Sequence, residues 1–294
     1  MWWRLSLPVQ PELEESLLWK FSALGLTRVA VQHAPDTPEL RTLLAWLPVT
    51  EWPEDQRREL LGSLAPLAET FGLTLAQPVW EQLEDEDWSR SWKQHWQPDP
   101  VGSKLLILPA WLEVPVEHAQ RLVLKMDPGS AFGTGGHPTT RLCLEALEAL
   151  PPVGLKVADL GCGSGVLGLA ALGLGARQVL SVDTDSLAVT ATRDNAALNA
   201  LPPGALVVRE GSVDELDDLL GGEPADLLLC NILAPVIEAL APRFEGVLNA
   251  GGRGLLSGLL VEQAPRLTEV LESLGWTVTH LADQGPWGLL EIRR

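Results

Sequence analysis

The sequence contains no tyrosine, four phenylalanines, two methionines and three cysteines. Cys143, Cys162 and Cys230 stand far apart in apolar segments and form no C-x-x-C pair. That pattern argues against a disulfide framework or a zinc site, and an odd set of buried thiols fits a reducing compartment. No apolar run reaches the 18 or so residues that a spanning helix needs. The best candidate, residues 227–240, is broken by Asn231, Pro235 and Glu238. The opening Met1-Trp2-Trp3-Arg4-Leu5-Ser6 alternates like a strand and lacks the basic start and apolar block of a signal peptide. A cytoplasmic protein without membrane association is therefore expected. Basic residues are the last scarcity. Lys and Arg total 21 against 39 Asp and Glu, a formal charge of −18. Such a field repels nucleic-acid phosphate and attracts cationic partners, so direct nucleic-acid recognition is not expected. Acidity of this kind also aids solubility by itself.

What is present points to two units. A chain of 294 residues is long for one domain, and ten of its twelve tryptophans fall before residue 112. Residues 2–9 read as a strand. Residues 11–24 have helical spacing (Leu13, Leu17, Leu18, Phe21, Leu24), closed by Gly25. Strand-like stretches follow at 27–32 and 43–49, then an amphipathic helix at 53–71 and a last strand at 73–79. The order β-α-β-β-α-β is that of a ferredoxin-like α+β sandwich, assigned to residues 1–83. The acidic run 81–87 reads as a solvated linker or helix start. Trp88, Trp92 and Trp96, four residues apart, stripe one face of a linker helix placed at 84–100.

Residues 101–294 form the second unit. Strands are expected at 105–110 and 122–126, followed by a glycine- and hydroxyl-rich loop (Asp127 to Thr140) and a helix at 141–150 with His137 to Thr140 as its cap region. From Lys156 strands (156–160, 178–183, 205–209, 226–230, 253–257) alternate with helices beginning near Gly165, Ser186, Val213, Pro235 and Val261. Two final strands, 277–281 and 288–292, have no helix between them and read as an antiparallel hairpin. The fold class is thus α/β, a doubly wound, seven-stranded Rossmann-like sheet.

The glycine-rich turn after the first of these strands supports two readings. Gly163, Gly165 and Gly168 spell G-x-G-x-x-G, with Asp183 twenty residues beyond the first, a dinucleotide fingerprint. Shifted by two, Asp159, Gly161, Gly163 and Gly165 spell D-x-G-x-G-x-G, the loop of S-adenosylmethionine enzymes. The second register gives Asp159 a role and starts the turn directly after the strand. Asp183 ends the next strand, where a carboxylate can accept from both hydroxyls of a ribose. Asn231 ends the fourth strand, beside the switch point of the sheet; it either faces the reacting end of the ligand or caps the following helix.

Three stretches together carry a family resemblance: Asp127-Pro-Gly-x-Ala-Phe-Gly-Thr-Gly-x-His137-Pro-Thr-Thr140, Asp159-Leu-Gly-Cys-Gly-Ser-Gly165 and Asn231-Ile-Leu-Ala234. From about Trp88 onward the chain resembles the bacterial ribosomal protein L11 methyltransferases (PrmA). The first stretch is the most specific; the glycine loop is shared by all class I methyltransferases. Gly136 departs from the family's usual Thr, which puts a hydroxyl contact there in doubt. The resemblance implies S-adenosylmethionine as cofactor and a two-domain plan whose first domain recognises substrate. It implies that Thr140 and Gly161 contact the methionine side, that Asp183 holds the ribose and that Asn231 lies by the methyl group. Phe132, Gly133, Asp159 and Gly163 complete the cofactor-binding candidates. Asn231 and His137 are the catalytic candidates, His137 alternatively bracing the loop or capping the helix. The implied reaction is methylation of lysine ε-amines, and of the N-terminal α-amine, of a basic ribosomal protein by a monomer. Asn231-Ile-Leu-Ala lacks the aromatic wall of Asn-Pro-Pro-Tyr enzymes, which fits an aliphatic amine. Other readings left open are a methyltransferase for a small molecule or another protein, a NAD-dependent oxidoreductase and a non-enzymatic assembly factor.

Overall fold

In the first strand every second residue is apolar, and Leu5, Leu7 and Val9 are accordingly buried while their neighbours are not. The computed structural model describes residues 1–26, 28–34, 37–83, 96–127 and 135–294. They divide into two compact units, the first ending at Gln97 and the second beginning at Pro98 and running to Arg294.

The first unit contains β1 (Trp2–Val9), α1 (Glu14–Ala23), β2 (Val29–Ala34), β3 (Thr37–Pro48), α2 (Glu54–Thr70) and β4 (Val79–Leu83). Its sheet has the order β2-β3-β1-β4 with every pair antiparallel, the ferredoxin-like arrangement. One face buries Leu5, Leu7, Val29, Val31, Leu43 and Leu47 against Leu17 and Phe21 of α1 and Leu60 and Leu64 of α2. The other face carries Ala30, Leu44 and Trp46, with Trp2, Leu83 and Trp96 packed on them. Trp96 thus packs as a seam residue, whereas Trp88 and Trp92, and with them the expected linker helix, lie outside the described residues.

The last strand is displaced from its expected position at 73–79. Leu73 and Leu75 pack against the core without pairing, and the ladder with β1 runs instead from Val79 opposite Ser6 to Leu83 opposite Trp2. Apolar alternation before Pro78 mimics a strand, but Pro has no N–H for a ladder and the pairing begins beyond it. The first half of the acidic run is therefore strand, with Glu81 ion-paired to Arg4 on its neighbour.

The second unit opens with a small sheet of β5 (Asp99–Val101), β6 (Leu105–Pro109) and β7 (Leu122–Met126), in that order, of which β5 was not anticipated. Then come α3 (Pro138–Ala149), β8 (Lys156–Leu160), α4 (Val166–Gly173), β9 (Gln178–Asp183), α5 (Ser186–Leu198), β10 (Leu206–Glu210), α6 (Val213–Leu220), β11 (Ala225–Asn231), α7 (Ala234–Leu240), α8 (Phe244–Val247), β12 (Leu248–Leu260), α9 (Ala264–Ser273), β13 (Thr277–Gln284) and β14 (Trp287–Arg293). The seven-stranded sheet runs β10-β9-β8-β11-β12-β14-β13. Its first five strands are parallel, and β14 pairs antiparallel with both neighbours.

Strand periodicity divides the side chains between two helical layers. Ala158, Leu160, Leu180, Val182, Leu228 and Cys230 bury one face against α6, α7, α8 and α9. The opposite face of β8 carries Asp159, against which α4 sets Gly168. All three cysteines are buried and free. Among the described residues no helix is long and apolar enough to cross a membrane.

Candidate active site

The carboxyl ends of β8, β9 and β11 lie side by side, so the chain brings Gly161, Asp183 and Asn231 to one edge of the sheet. In a doubly wound sheet this edge, at the point where strand order reverses, is where ligands bind. Gly161, Gly163 and Gly165 all take positive φ, at 76°, 56° and 83°. Every second residue of the turn is thus left-handed, a conformation that side chains resist. Gly161 is also closely approached: a Cβ there would stand 2.3 Å from Cγ2 of Ile232, next to Asn231. Gly168 sits inside α4, where a Cβ would stand 3.1 Å from Asp159 Oδ2 and from Val179. Its part is close helix–strand packing, which either register of the glycine motif needs.

Asp183 holds the turn. Its Oδ2 accepts from the Gly163 amide at 2.9 Å and its Oδ1 from the Asp185 amide at 3.0 Å. Each oxygen keeps a second lone pair, which leaves the bidentate acceptor a ribose diol requires. Burial raises the Asp183 carboxyl above its usual value despite those two bonds. Asp159 lies deeper, only 1% exposed, and Oδ2 has no hydrogen-bond partner among the described residues. Burial and the nearby Asp183 charge push it up to about 7, with the Gly168 amide acting the other way. A cation set against this pair would stabilise both carboxylates.

Asn231 does not cap the following helix. The N-cap of α7 is Leu233, and no side-chain cap bond is formed there. Instead Asn231 Nδ2 donates to Thr140 Oγ1 at 3.3 Å, joining two candidates 91 residues apart. With Nδ2 so engaged, Oδ1 is left buried and without a partner among the described residues. A buried amide oxygen keeps its capacity to accept an N–H or O–H.

Thr140 is delivered by α3, which begins at Pro138, three residues earlier than the expected 141. Proline is favoured at the first helical position, and His137 is the N-cap, its Nδ1 accepting from the Thr139 amide at 3.3 Å and lying 2.7 Å from Thr139 Oγ1. The His137 ring meets Trp287 edge-to-face, centroids 4.7 Å apart. Nδ1 is thus committed to the helix cap, and proton chemistry at His137 would have to use Nε2. Phe132 and Gly133 lie outside the described residues.

Several residues that the sequence reading passed over support the site. Thr192, fully buried on α5, donates to the Gly163 carbonyl at 2.9 Å and occupies the space a Gly165 side chain would need. Asn195, one turn on, donates to the Ser164 carbonyl at 2.9 Å. Gly258, at the end of β12, has a φ of 83°, and a Cβ there would fall 2.3 Å from the Ile232 carbonyl oxygen. Only their i, i+3 spacing on one helix face hinted at Thr192 and Asn195; nothing in the sequence marked Gly258 or Trp287.

A seven-stranded sheet whose last strand enters antiparallel, a D-x-G-x-G-x-G turn and acid and amide groups at strand ends define a class I methyltransferase. The antiparallel β14 between β12 and β13 departs from the strand order of dinucleotide-binding sheets, so the oxidoreductase alternative fails on topology. Over residues 1–294 the sequence matches the family model described as ribosomal protein L11 methyltransferase (PrmA), and the chain belongs to that family. A ribosomal protein L11 methyltransferase of Parasynechococcus marenigrum is 69% identical over 97% of this chain and 98% of its own. One from Synechococcus elongatus is 43% identical over 97% and 94%. A crystal structure of ribosomal protein L11 methylase from Lactobacillus delbrueckii subsp. bulgaricus matches 68% of this chain and 99% of its own, with a TM-score of 0.59 and 31% identity. The cofactor is S-adenosylmethionine, and the residues present fit it: a side-chain-free cradle at Gly161 and, at Asp183, a carboxylate with acceptor capacity left on both oxygens.

Proposed function

We propose that this chain transfers methyl groups to lysine ε-amines, and to the N-terminal α-amine, of ribosomal protein L11. The observation that carries this reading is the Oδ1 of Asn231 beside the glycine turn, buried and without a hydrogen-bond partner among the described residues. Gly161, Gly163, Asp159 and Asp183 would hold the cofactor, with Thr140 and Gly161 on the methionine side and Phe132 and Gly133 as further cofactor-binding candidates. S-adenosylmethionine supplies a methyl carbon activated by its sulfonium. The chain's task is to present a neutral amine in line with it, so most of the catalysis is positioning.

Asn231 Oδ1 accepts one N–H of the amine and so turns the nitrogen lone pair away from itself. Thr140 keeps the amide in that orientation by accepting from Nδ2. A lysine ammonium, with a pKa of about 10.4 in water, must first lose a proton. Ile232 and Leu233 follow Asn231 directly, and an apolar pocket for the amine there would disfavour the ammonium without a dedicated base. His137 is the candidate helper, through Nε2. The residues to Leu83 form the substrate-recognition domain, 84–100 the linker and 101–294 the catalytic domain. The net charge of −18 suits a basic ribosomal protein and a monomer working in the cytoplasm.

Intact-mass analysis of ribosomal protein L11 incubated with the protein and S-adenosylmethionine tests this. Mass steps of one methyl are expected, mapping to lysine and the α-amine. Asn231→Ala should lower kcat about 100-fold, the scale for losing one preorganised polar group, while S-adenosylmethionine Kd changes only a few-fold. An unmodified ribosomal protein in the presence of bound cofactor would rule the reading out.

A further inference from the structure

The side chain of Asn195 is fully buried and makes two bonds to the backbone of two separate segments. Nδ2 donates to the Ser164 carbonyl at 2.9 Å, in the glycine turn, and Oδ1 accepts from the Asp127 amide at 2.8 Å, at the exit of β7. Only one orientation of the amide satisfies both, since a carbonyl needs a donor and an N–H needs an acceptor. Thr192, on the same face of α5, donates to the adjoining Gly163 carbonyl. Asp183 holds the Gly163 N–H from the other side. In a trans peptide the C=O and the following N–H point in opposite directions. Tying the Gly163 and Ser164 carbonyls to α5 therefore sets the direction of the turn's amides as well.

We propose that Asn195 is a positioning residue for methyl transfer. Its side-chain amide locks the glycine turn to the end of β7, where the Asp127-to-Thr140 motif begins, and thereby sets the affinity for S-adenosylmethionine. This role rests on the cofactor assignment above and goes beyond it, because Asn195 supports the cradle from behind. Asn199 provides an internal control. It donates to the Lys125 carbonyl at 2.7 Å and accepts from the Lys125 amide at 2.8 Å, so it braces β7 without reaching the glycine turn.

The experiment measures S-adenosylmethionine binding by calorimetry and amide hydrogen exchange of the cofactor-free protein, for the wild type, Asn195→Ala, Asn195→Asp and Asn199→Ala. Failure of the wild type to bind would overturn the cofactor assignment itself. Asn195→Ala should weaken binding at least tenfold and speed exchange of the Asp127 amide, while Asn199→Ala leaves Kd within about twofold. Asn195→Asp keeps the acceptor for Asp127 but sets a carboxylate oxygen against the Ser164 carbonyl. Once protonated it can donate that bond again. Its Kd relative to the wild type should therefore fall toward one as pH is lowered from about 8 to about 5.5, a rescue no purely structural defect shows. Equal weakening in Asn195→Ala and Asn199→Ala, or an Asn195→Asp ratio independent of pH, overturns the proposal. If Asn195→Ala does not fold, the pH series on Asn195→Asp decides.

Discussion

Asp159 and Asp183 stand at neighbouring strand ends, yet their surroundings assign them different duties. Asp183 spends both oxygens on backbone amides of the turn and its flank, and so serves as an outward-facing acceptor held in place. Asp159 has an oxygen without a partner among the described residues and is held up to about 7 by burial and by Asp183. A carboxyl raised in the folded state binds its proton there while the unfolded chain has already released it. Its stabilising contribution is full below the unfolded value near 4 and is lost as pH rises to about 7. Asp159→Asn should remove that loss. Urea unfolding of the cofactor-free protein should show the variant more stable than the wild type at pH 8, by a few kcal/mol, and the difference should shrink toward pH 4. At Asp183, Asp183→Ala removes charge-assisted bonds to the turn and, on the proposed binding mode, the acceptor for a ribose. Calorimetry should show S-adenosylmethionine binding weakened roughly 10- to 100-fold, from about 1.5–3 kcal/mol per such bond.

One scale up, α3 is an element whose two ends are pinned so that its first turn can hold Thr140. Near its start, Arg141 Nη1 reaches both Asp99 oxygens at 3.0 Å and Nη2 donates to the Pro100 carbonyl at 2.8 Å. Near its end, the Glu148 carboxylate accepts from the Ser103 and Lys104 amides at 2.8 and 2.9 Å. Burial works to raise the Glu148 carboxyl, but the Ser103 and Lys104 bonds prevail and hold it below its usual value. Glu148→Ala would leave those two amides without their acceptor, at a cost of roughly 1–3 kcal/mol. The stability loss should appear in denaturant unfolding, together with a lower kcat and a cofactor Kd weakened less than by Asp183→Ala, because α3 carries Thr140 to Asn231 while Asp183 and the glycine turn stay in place. Unchanged stability in Glu148→Ala would show that the hairpin of β5 and β6 does not anchor the helix.

At the scale of the whole molecule the dominant quantity is charge. With 39 acidic against 21 basic side chains, the protein projects a negative field, which would draw in a basic substrate and accelerate encounter. Salt screens such a field over a length of about 10 Å at 0.1 M. Raising salt from roughly 50 to 500 mM should thus lower kcat/KM for the ribosomal protein severalfold, mainly through KM. Cofactor affinity, set inside the turn, should move far less. A salt-independent kcat/KM would remove charge from the account of substrate capture.

The sequence by itself determined the class of fold, the places where the parallel strands end and the identity of the groups at those ends. These are local matters. A buried strand, a turn that needs left-handed residues and a helix start leave their marks within a dozen neighbouring positions, as 156–168 shows. Family resemblance then rested on three such stretches. Tertiary structure alone decided what each group does. That Asn231 bonds Thr140, 91 positions away, and does not cap the helix after it was decided by packing. His137 became a cap because α3 starts at Pro138 and Trp287 lies against the ring. The first unit's last strand moved to Val79–Leu83 because pairing with β1, not local apolar alternation, selects the ladder. Asn195 and Gly258 gained their meaning only once α5 and β12 were packed beside the turns they serve. Contacts between distant segments depend on how faces and registers meet, and a one-dimensional pattern carries the periodicity of each face but not its partner.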